Sequence, residues 1–233
     1  MTRAEVATVY FRLLTDAARN TNWMQSNPFT DVTQGRWYNN AVSVMNNMNN
    51  MNIFSGYPDG TFKADNEITR AELATIATRF ARRYRGDSGG GIGDVYSDVQ
   101  GHWAVRDIVY ASRAGLTVGY PDGTFNPNKP ITRAEFVTLV NRMLKRMTES
   151  PEDLLFDDMV KWPDNANQSA WYYLAIQEAT NSHKHNAKMG NSVPGLDFEY
   201  EYWIEVIGNR NWAELEKGWA AANAKKTPGQ AIG

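Results

Sequence analysis

Apolar residues recur along this chain at i, i+3, i+4 and i+7, the rhythm of a helix with one face to bury. The rhythm appears three times at identical offsets: Val6, Val9, Tyr10, Leu13; then Leu73, Ile76, Ala77, Phe80; then Phe136, Leu139, Val140, Met143. A Thr-Arg-Ala-Glu tetrad precedes each stripe, at Thr2, Thr69 and Thr132. In such a tetrad the Thr hydroxyl accepts from the backbone N–H three residues on, and the Glu reaches back to the Thr N–H, forming a capping box. Ile68 with Leu73, and Ile131 with Phe136, stand where a hydrophobic staple belongs. Three capped amphipathic helices are predicted.

A second helix type lies upstream of the two later tetrads. Stretches beginning at Arg36, His102 and Ala170 align on Trp37, Trp103 and Trp171, and the apolar positions that follow agree: Val42 and Met45, Ile108 and Ala111, Ile176 and Ala179. The Asn/Met run before Ile53 places its methionines near helical spacing and reads as buried helix. Between the two helix types sits GYPDGTF, at Gly56 and again at Gly119. Pro suits the first central site of a tight turn, Asp the next, and Gly the site where positive φ is common. Thr-Phe then reads as a short extended piece. The unit is helix, turn, short strand, capped helix.

These residues resemble the S-layer homology domain. FTDV, RWYNNAV, GYPDGTF and ITRAELA make one such copy, residues 27–85; YSDVQGHWAVRDI with GYPDGTFNPNKPITRAEFV makes another, residues 95–148. Residues 1–26 look like the second half of a preceding copy, and GDSGGGIGD, residues 86–94, like a flexible linker. Residues 149–233 keep FDD and a Trp-led helix but lack the PDG turn and the tetrad, so they read as a degenerate copy or C-terminal cap, with DFEYEYWIEVIGNRNWAELE supplying one or two closing helices. The resemblance implies a mainly α fold, a pseudo-threefold, three-pronged spindle around a central helical bundle, with ligand grooves between prongs. It also implies a non-catalytic module that grips a secondary cell-wall polysaccharide, often bearing a pyruvyl ketal, and tethers a larger exported protein to the bacterial surface. In some bacteria with an outer membrane such domains hold modified peptidoglycan instead.

Capping explains Thr and Glu of the tetrad, including Glu72 and Glu135, but not the arginine. Arg3, Arg70 and Arg133 each occupy the first helical position, where the macrodipole disfavours a cation. A guanidinium fork beside a helix N-terminus would hold a sugar carboxylate; a structural ion pair with Asp31, Asp98 or Asp158 is the other reading. Trp37, Trp103 and Trp171 offer flat faces to a sugar or anchor the core. Tyr57, Asp59 and Gly60, with Tyr120, Asp122 and Gly123, are candidates to line a groove, although turn geometry alone accounts for the Asp and Gly.

The 233 residues carry a formal charge of −2, with 42% hydrophobic and 21% charged positions. That balance gives no general attraction to nucleic acid, and no apolar run is long enough to span a bilayer. The chain starts inside a motif without a signal segment, as a fragment of a longer exported protein would. Zero cysteines removes thiolate chemistry and zinc–thiolate sites. The Asp-Gly turns lack the alternating ligands of a calcium loop, His183-Lys184-His185 reads as the solvated end of a helix, and Arg85-Gly86-Asp87 as linker. No cofactor or metal is expected. A wall-glycan hydrolase would need two facing carboxylates, yet every recurring carboxylate serves a cap or turn. A scaffold packing against other surface-layer proteins is the remaining alternative.

Overall fold

The computed structural model describes residues 1–47, 53–85 and 96–224. The Gly86–Asp94 linker, the Arg-Gly-Asp triplet after Arg85 and most of the Asn/Met run lie outside the described residues. The fold is mostly helical with one small two-stranded sheet. It divides into two compact units: residues 1–69 with 211–233, and residues 70–210.

In the first unit, α1 (Arg3–Leu13) packs on α3 (Asn39–Asn47), and α2 (Asp16–Thr21) on α8 (Trp212–Ala222). The expected capping box forms: Glu5 N donates to Thr2 Oγ1 (3.3 Å) and Thr2 N to Glu5 Oε2 (2.8 Å). The buried face of α1 is wider than its stripe. Ala4, Val6, Ala7, Tyr10, Phe11 and Leu14 are buried, while Val9 and Leu13 are only half-buried. The cause is a second packing surface, since Phe11 meets Trp23 and Trp219 of α8 edge-on or tilted at 6.3 and 6.1 Å.

In the second unit, α4 (Arg70–Arg85) packs on α5 (Val105–Arg113), and α6 (Arg133–Leu144) on α7 (Tyr173–Thr180). The stripes of α4 and α6 are buried as expected, and Thr132 with Glu135 completes a second capping box. In α7, Ile176 is buried but Ala179 is exposed, because Gln177 and Glu178 turn inward instead.

Each unit joins the tetrad helix of one sequence copy to the turn of the next, and the arginine makes the joint. Arg3 Nε donates to Phe62 O (2.8 Å) and its terminal nitrogen to Ser55 O (2.9 Å). Arg70 repeats this on Phe125 O (2.8 Å) and Val118 O (2.9 Å). The first helical N–H groups dock on the same segment: Arg3 N and Ala4 N on Asn66 O and Ala64 O, Arg70 N and Ala71 N on Lys129 O and Pro127 O, all at 2.9 Å. The guanidinium of Arg3 lies over Tyr57 and Phe62, that of Arg70 over Tyr120 and Phe125. Thus main-chain carbonyls and rings hold the cation at the unfavourable helix end, and for Arg70 Glu135 adds an ion pair at 3.1 Å.

The aspartates serve the turn. Asp31 accepts from Phe62 N and Lys63 N (2.7 Å each), and Asp98 from Phe125 N (2.8 Å) and Asn126 N (2.7 Å). Those bonds hold Lys63 and Asn126 at φ of 56° and 54°, where a side chain is strained. Gly60 and Gly123 sit at φ of 78° and 82°, which the turn demands of glycine. Thr-Phe forms no strand in either copy; a carboxylate closes the turn where a ladder was expected.

The C-terminal expectation holds for one closing helix, α8, which begins at WAELE, and needs correcting for the residues before it. DFEYEYWIEV is not a helix but contributes β2 (Glu199–Val206), antiparallel to β1 (His183–Ser192). Its buried positions are Glu201 and Trp203, alternating with exposed Tyr202 and Ile204. His183 is likewise not a solvated helix end. It stacks on Trp203 at 3.9 Å with its Nε2 between Glu178 (3.1 Å) and Glu201 (3.2 Å), and Arg146 bridges the same carboxylates at 3.0 and 3.3 Å. A charged position inside a strand hides its alternation from any count of apolar residues.

Two outcomes are expected. Burial alone would lower the His183 pKa, but the hydrogen bonds and charges of Glu178 and Glu201 outweigh it and raise it to about 9. A raised folded-state pKa gives stability that is complete below the unfolded value of about 6.5 and lost as pH climbs through the folded one. Thermal unfolding followed from pH 6 to 10 should show a falling Tm, with the slope reduced in His183→Gln; an equal slope in both would refute the assignment. Second, Arg70→Ala should destabilise by about 3 kcal/mol, since it strips a buried cation from carbonyls left unsatisfied. Arg133→Ala, whose side chain is 66% exposed with only Asp164 at 4.0 Å, should stay within about 0.5 kcal/mol in urea melts.

A candidate ligand cavity beside the second PDG turn

A cavity of about 780 Å³ opens within the second unit. The turn provides Gly119, Tyr120 and Pro121, and α6 provides Glu135, Leu139 and Arg142. Trp171, Leu174 and Glu178 come from the Trp-led helix of the degenerate copy, Thr148 and Glu149 from the chain after α6, and Tyr200 from β2. The lining is mainly apolar, and Trp171 is 67% exposed at its edge.

The polar groups on the wall are mostly engaged with one another. Glu135 caps α6, pairs with Arg70 at 3.1 Å and accepts from the Tyr120 hydroxyl at 3.3 Å. Burial would raise its pKa, but the Thr132 hydrogen bonds and the Arg70 charge hold the carboxyl below the usual range. Lys129 donates to the Tyr120 hydroxyl (3.0 Å). Glu178 lies between Arg146 and His183 and accepts from Trp203 Nε1 at 2.9 Å. Glu149 is held by Lys188 and Asn191, at 2.7 Å each.

Of the sequence candidates, the cavity therefore gathers Arg70, Tyr120, Glu135 and Trp171. Trp103, 65% exposed, Asp98, Asp122 and Gly123 do not line it. Asp122 accepts from Thr124 N (3.0 Å) and its hydroxyl (2.7 Å), which lowers its pKa, and Asp59 does the same for Thr61. Both are internal to their turns. Arg133 is solvent-exposed, and the residues that follow its tetrad carry no PDG turn to receive it. In the first unit Arg3, Tyr57, Asp31, Asp59 and Gly60 build the matching turn, and Trp37 is 62% exposed. Glu72 is half-buried in the first turn of α4.

Sequence reasoning missed Arg142, Thr148, Glu178 and Tyr200. Arg142 reads as an ordinary polar position between Val140 and Met143, and Tyr200 fell within the misread helix. The donor atoms of His183, His185 and Glu201 lie within 4.8 Å of one another, a grouping that could in principle take a metal. Arg146 already projects its terminal nitrogen among them, donating to Glu201 at 3.3 Å and lying beside the His183 ring. The guanidinium and the His183 imidazolium supply the positive charge there.

Comparison with known proteins agrees with this architecture. The S-layer homology domain matches residues 28–74 and 95–137, each span running from the start of a copy into its tetrad helix. The chain is 34% identical over 192 residues to Cell surface glycoprotein 1 of Acetivibrio thermocellus, covering 79% of this chain and 8% of that protein. It is 35% identical over 186 residues to the Cellulosome-anchoring protein of the same organism, covering 79% and 39%. A Surface layer protein of Brevibacillus choshinensis is 35% identical over 95 residues, 40% of this chain and 8% of its own length. The chain thus spans well under half the length of each of these relatives. Two matches in tandem, each carrying the turn and the tetrad that build the joints described above, make this chain an S-layer homology domain protein.

Proposed function

We propose that this chain is a non-catalytic anchoring module whose second unit binds a cell-wall polysaccharide and so tethers a larger exported protein to the bacterial surface. The observation that carries the reading is the cavity itself, apolar-walled, open, and edged by an exposed indole. A flat ring suits the C–H face of a sugar, and a few polar groups around an apolar floor suit its hydroxyls. Trp37 and Trp103, exposed to a similar degree, offer the same kind of face elsewhere. The names of the relatives, a cell surface glycoprotein and a cellulosome-anchoring protein, favour surface attachment. An acidic sugar bearing a pyruvyl ketal is the ligand the family resemblance implies.

Hydrolysis is disfavoured on chemical grounds. A glycosidase needs one carboxyl raised to act as an acid and another free to attack or to activate water. Glu135 is held low by Thr132 and Arg70, and Glu178 is enclosed by Arg146, His183 and Trp203.

The test is co-sedimentation of the chain with cell wall stripped of protein. Binding should saturate, release no new reducing ends, and weaken by about 2 kcal/mol, roughly thirtyfold, in Trp171→Ala. Retention only on walls that keep their surface-layer proteins would replace this reading with a protein scaffold. Binding to peptidoglycan freed of secondary polymer would move the ligand to the peptidoglycan itself.

A further inference from the structure

One side of the cavity wall hangs on a single buried charge cluster. Arg146 immediately precedes Met147, Thr148 and Glu149 of the wall, Glu178 stands on the wall itself, and Glu201 follows Tyr200. The main-chain N–H of Glu201 donates to Met147 O at 2.8 Å and so ties β2 to the chain after α6. His183 stands in the middle of these groups. Glu178 of α7 and Glu201 of β2 face its Nε2, Trp203 of β2 stacks on its ring, and Arg146 approaches from the chain after α6. His185, on the same strand, is exposed and faces Glu201 at 3.4 Å.

Each ring nitrogen of His183 meets an acceptor: Nδ1 meets Asn181 O at 2.7 Å, and Nε2 meets the two carboxylates at 3.1 and 3.2 Å. An acceptor at both nitrogens calls for a proton on both, so the ring is an imidazolium. Its charge and that of Arg146 balance Glu178 and Glu201, both of them buried. Without the proton, one guanidinium is left to serve two buried carboxylates. An uncompensated buried charge is costly, and it is relieved by letting water in. Glu178 has the shortest way to water, because it already borders the cavity.

Building on the anchoring function proposed above, we infer that His183 is a protonation switch for the cavity. With the imidazolium in place the wall is closed and holds the polysaccharide; without it Glu178, Tyr200 and the segment after Arg146 separate, and the polysaccharide is released. Burial of the ring opposes its charge, but Glu178 and Glu201 outweigh burial and bring the titration to about 9. The anchor therefore holds at neutral pH and lets go on the alkaline side, the direction in which a raised folded-state pKa removes stability. Linkage requires the converse as well: a ligand bound to the closed wall makes His183 hold its proton more tightly.

The experiment measures affinity for protein-stripped wall from pH 7 to 10.5, at a temperature where circular dichroism shows every variant folded. Wild type should lose about tenfold with a midpoint near pH 9, as it must if the closed wall falls to about one molecule in ten. His183→Gln should bind at the weak alkaline level throughout, having no charge to lose. Glu201→Gln, outside the cavity lining, should bind well throughout, because Arg146 alone then balances Glu178. His185→Gln should keep the wild-type step. In the free protein, NMR resonances of the Tyr200 ring should titrate together with the His183 ring.

A wild-type affinity that stays level to pH 10.5, with Trp171→Ala still weakening binding, overturns the switch and leaves the anchoring reading standing. A step shared by all the variants belongs to amines of the wall and overturns it too. If wild type does not bind stripped wall at pH 7, the anchoring reading falls and the NMR titration decides the switch alone. Tyr200 resonances that stay fixed while His183 titrates would refute it.

Discussion

A guanidinium at the first turn of a helix, gripped by two main-chain carbonyls of the following sequence copy, is the contact on which the rest of this structure depends. It occurs as Arg3 on Ser55 O and Phe62 O and as Arg70 on Val118 O and Phe125 O. A cation there opposes the helix macrodipole. The cost is offset because the same site gives the helix's first N–H groups their acceptors and covers the charge with aromatic rings. One side chain thereby fixes helix, turn and strain together. The carbonyls point correctly only if Asp31 or Asp98 holds the turn, and the turn closes only with glycine at positive φ. Each device depends on the next, which is why PDGTF and the tetrad travel as a pair.

Arg133 shows what happens when half of the pair is missing. Its tetrad is intact and its capping box forms, but the residues after it carry no PDG turn to receive the guanidinium, which stands in solvent near Asp164. Beyond α6 the chain instead builds a Trp-led helix and a hairpin. Trp171 and Tyr200 from those elements complete the cavity wall beside the second turn. The stretch that lacks the turn and the tetrad is thus the one that closes the candidate site.

Legibility in the sequence tracks the range of each interaction. Stripes, capping boxes and turns are local, and their residue types are imposed by backbone geometry within a few positions, so they were legible. The arginine's true acceptors were not, because a carbonyl carries no residue identity and the partner lies a whole copy away. Asp31 and Asp98 were noticed as charges when they act as braces for main-chain N–H groups. The hairpin escaped because its inward positions are His183 and Glu201, polar residues made tolerable indoors only by Arg146, Glu178 and one another.

The charges just past the end of α6 show how a structural cluster shapes the cavity beside it. Arg146 sits among two carboxylates and a histidine whose charges answer one another, a closed set that joins α7 to β2. Glu178 belongs both to that set and to the cavity wall, so the cluster that stabilises the hairpin also neutralises this carboxylate where it meets the cavity.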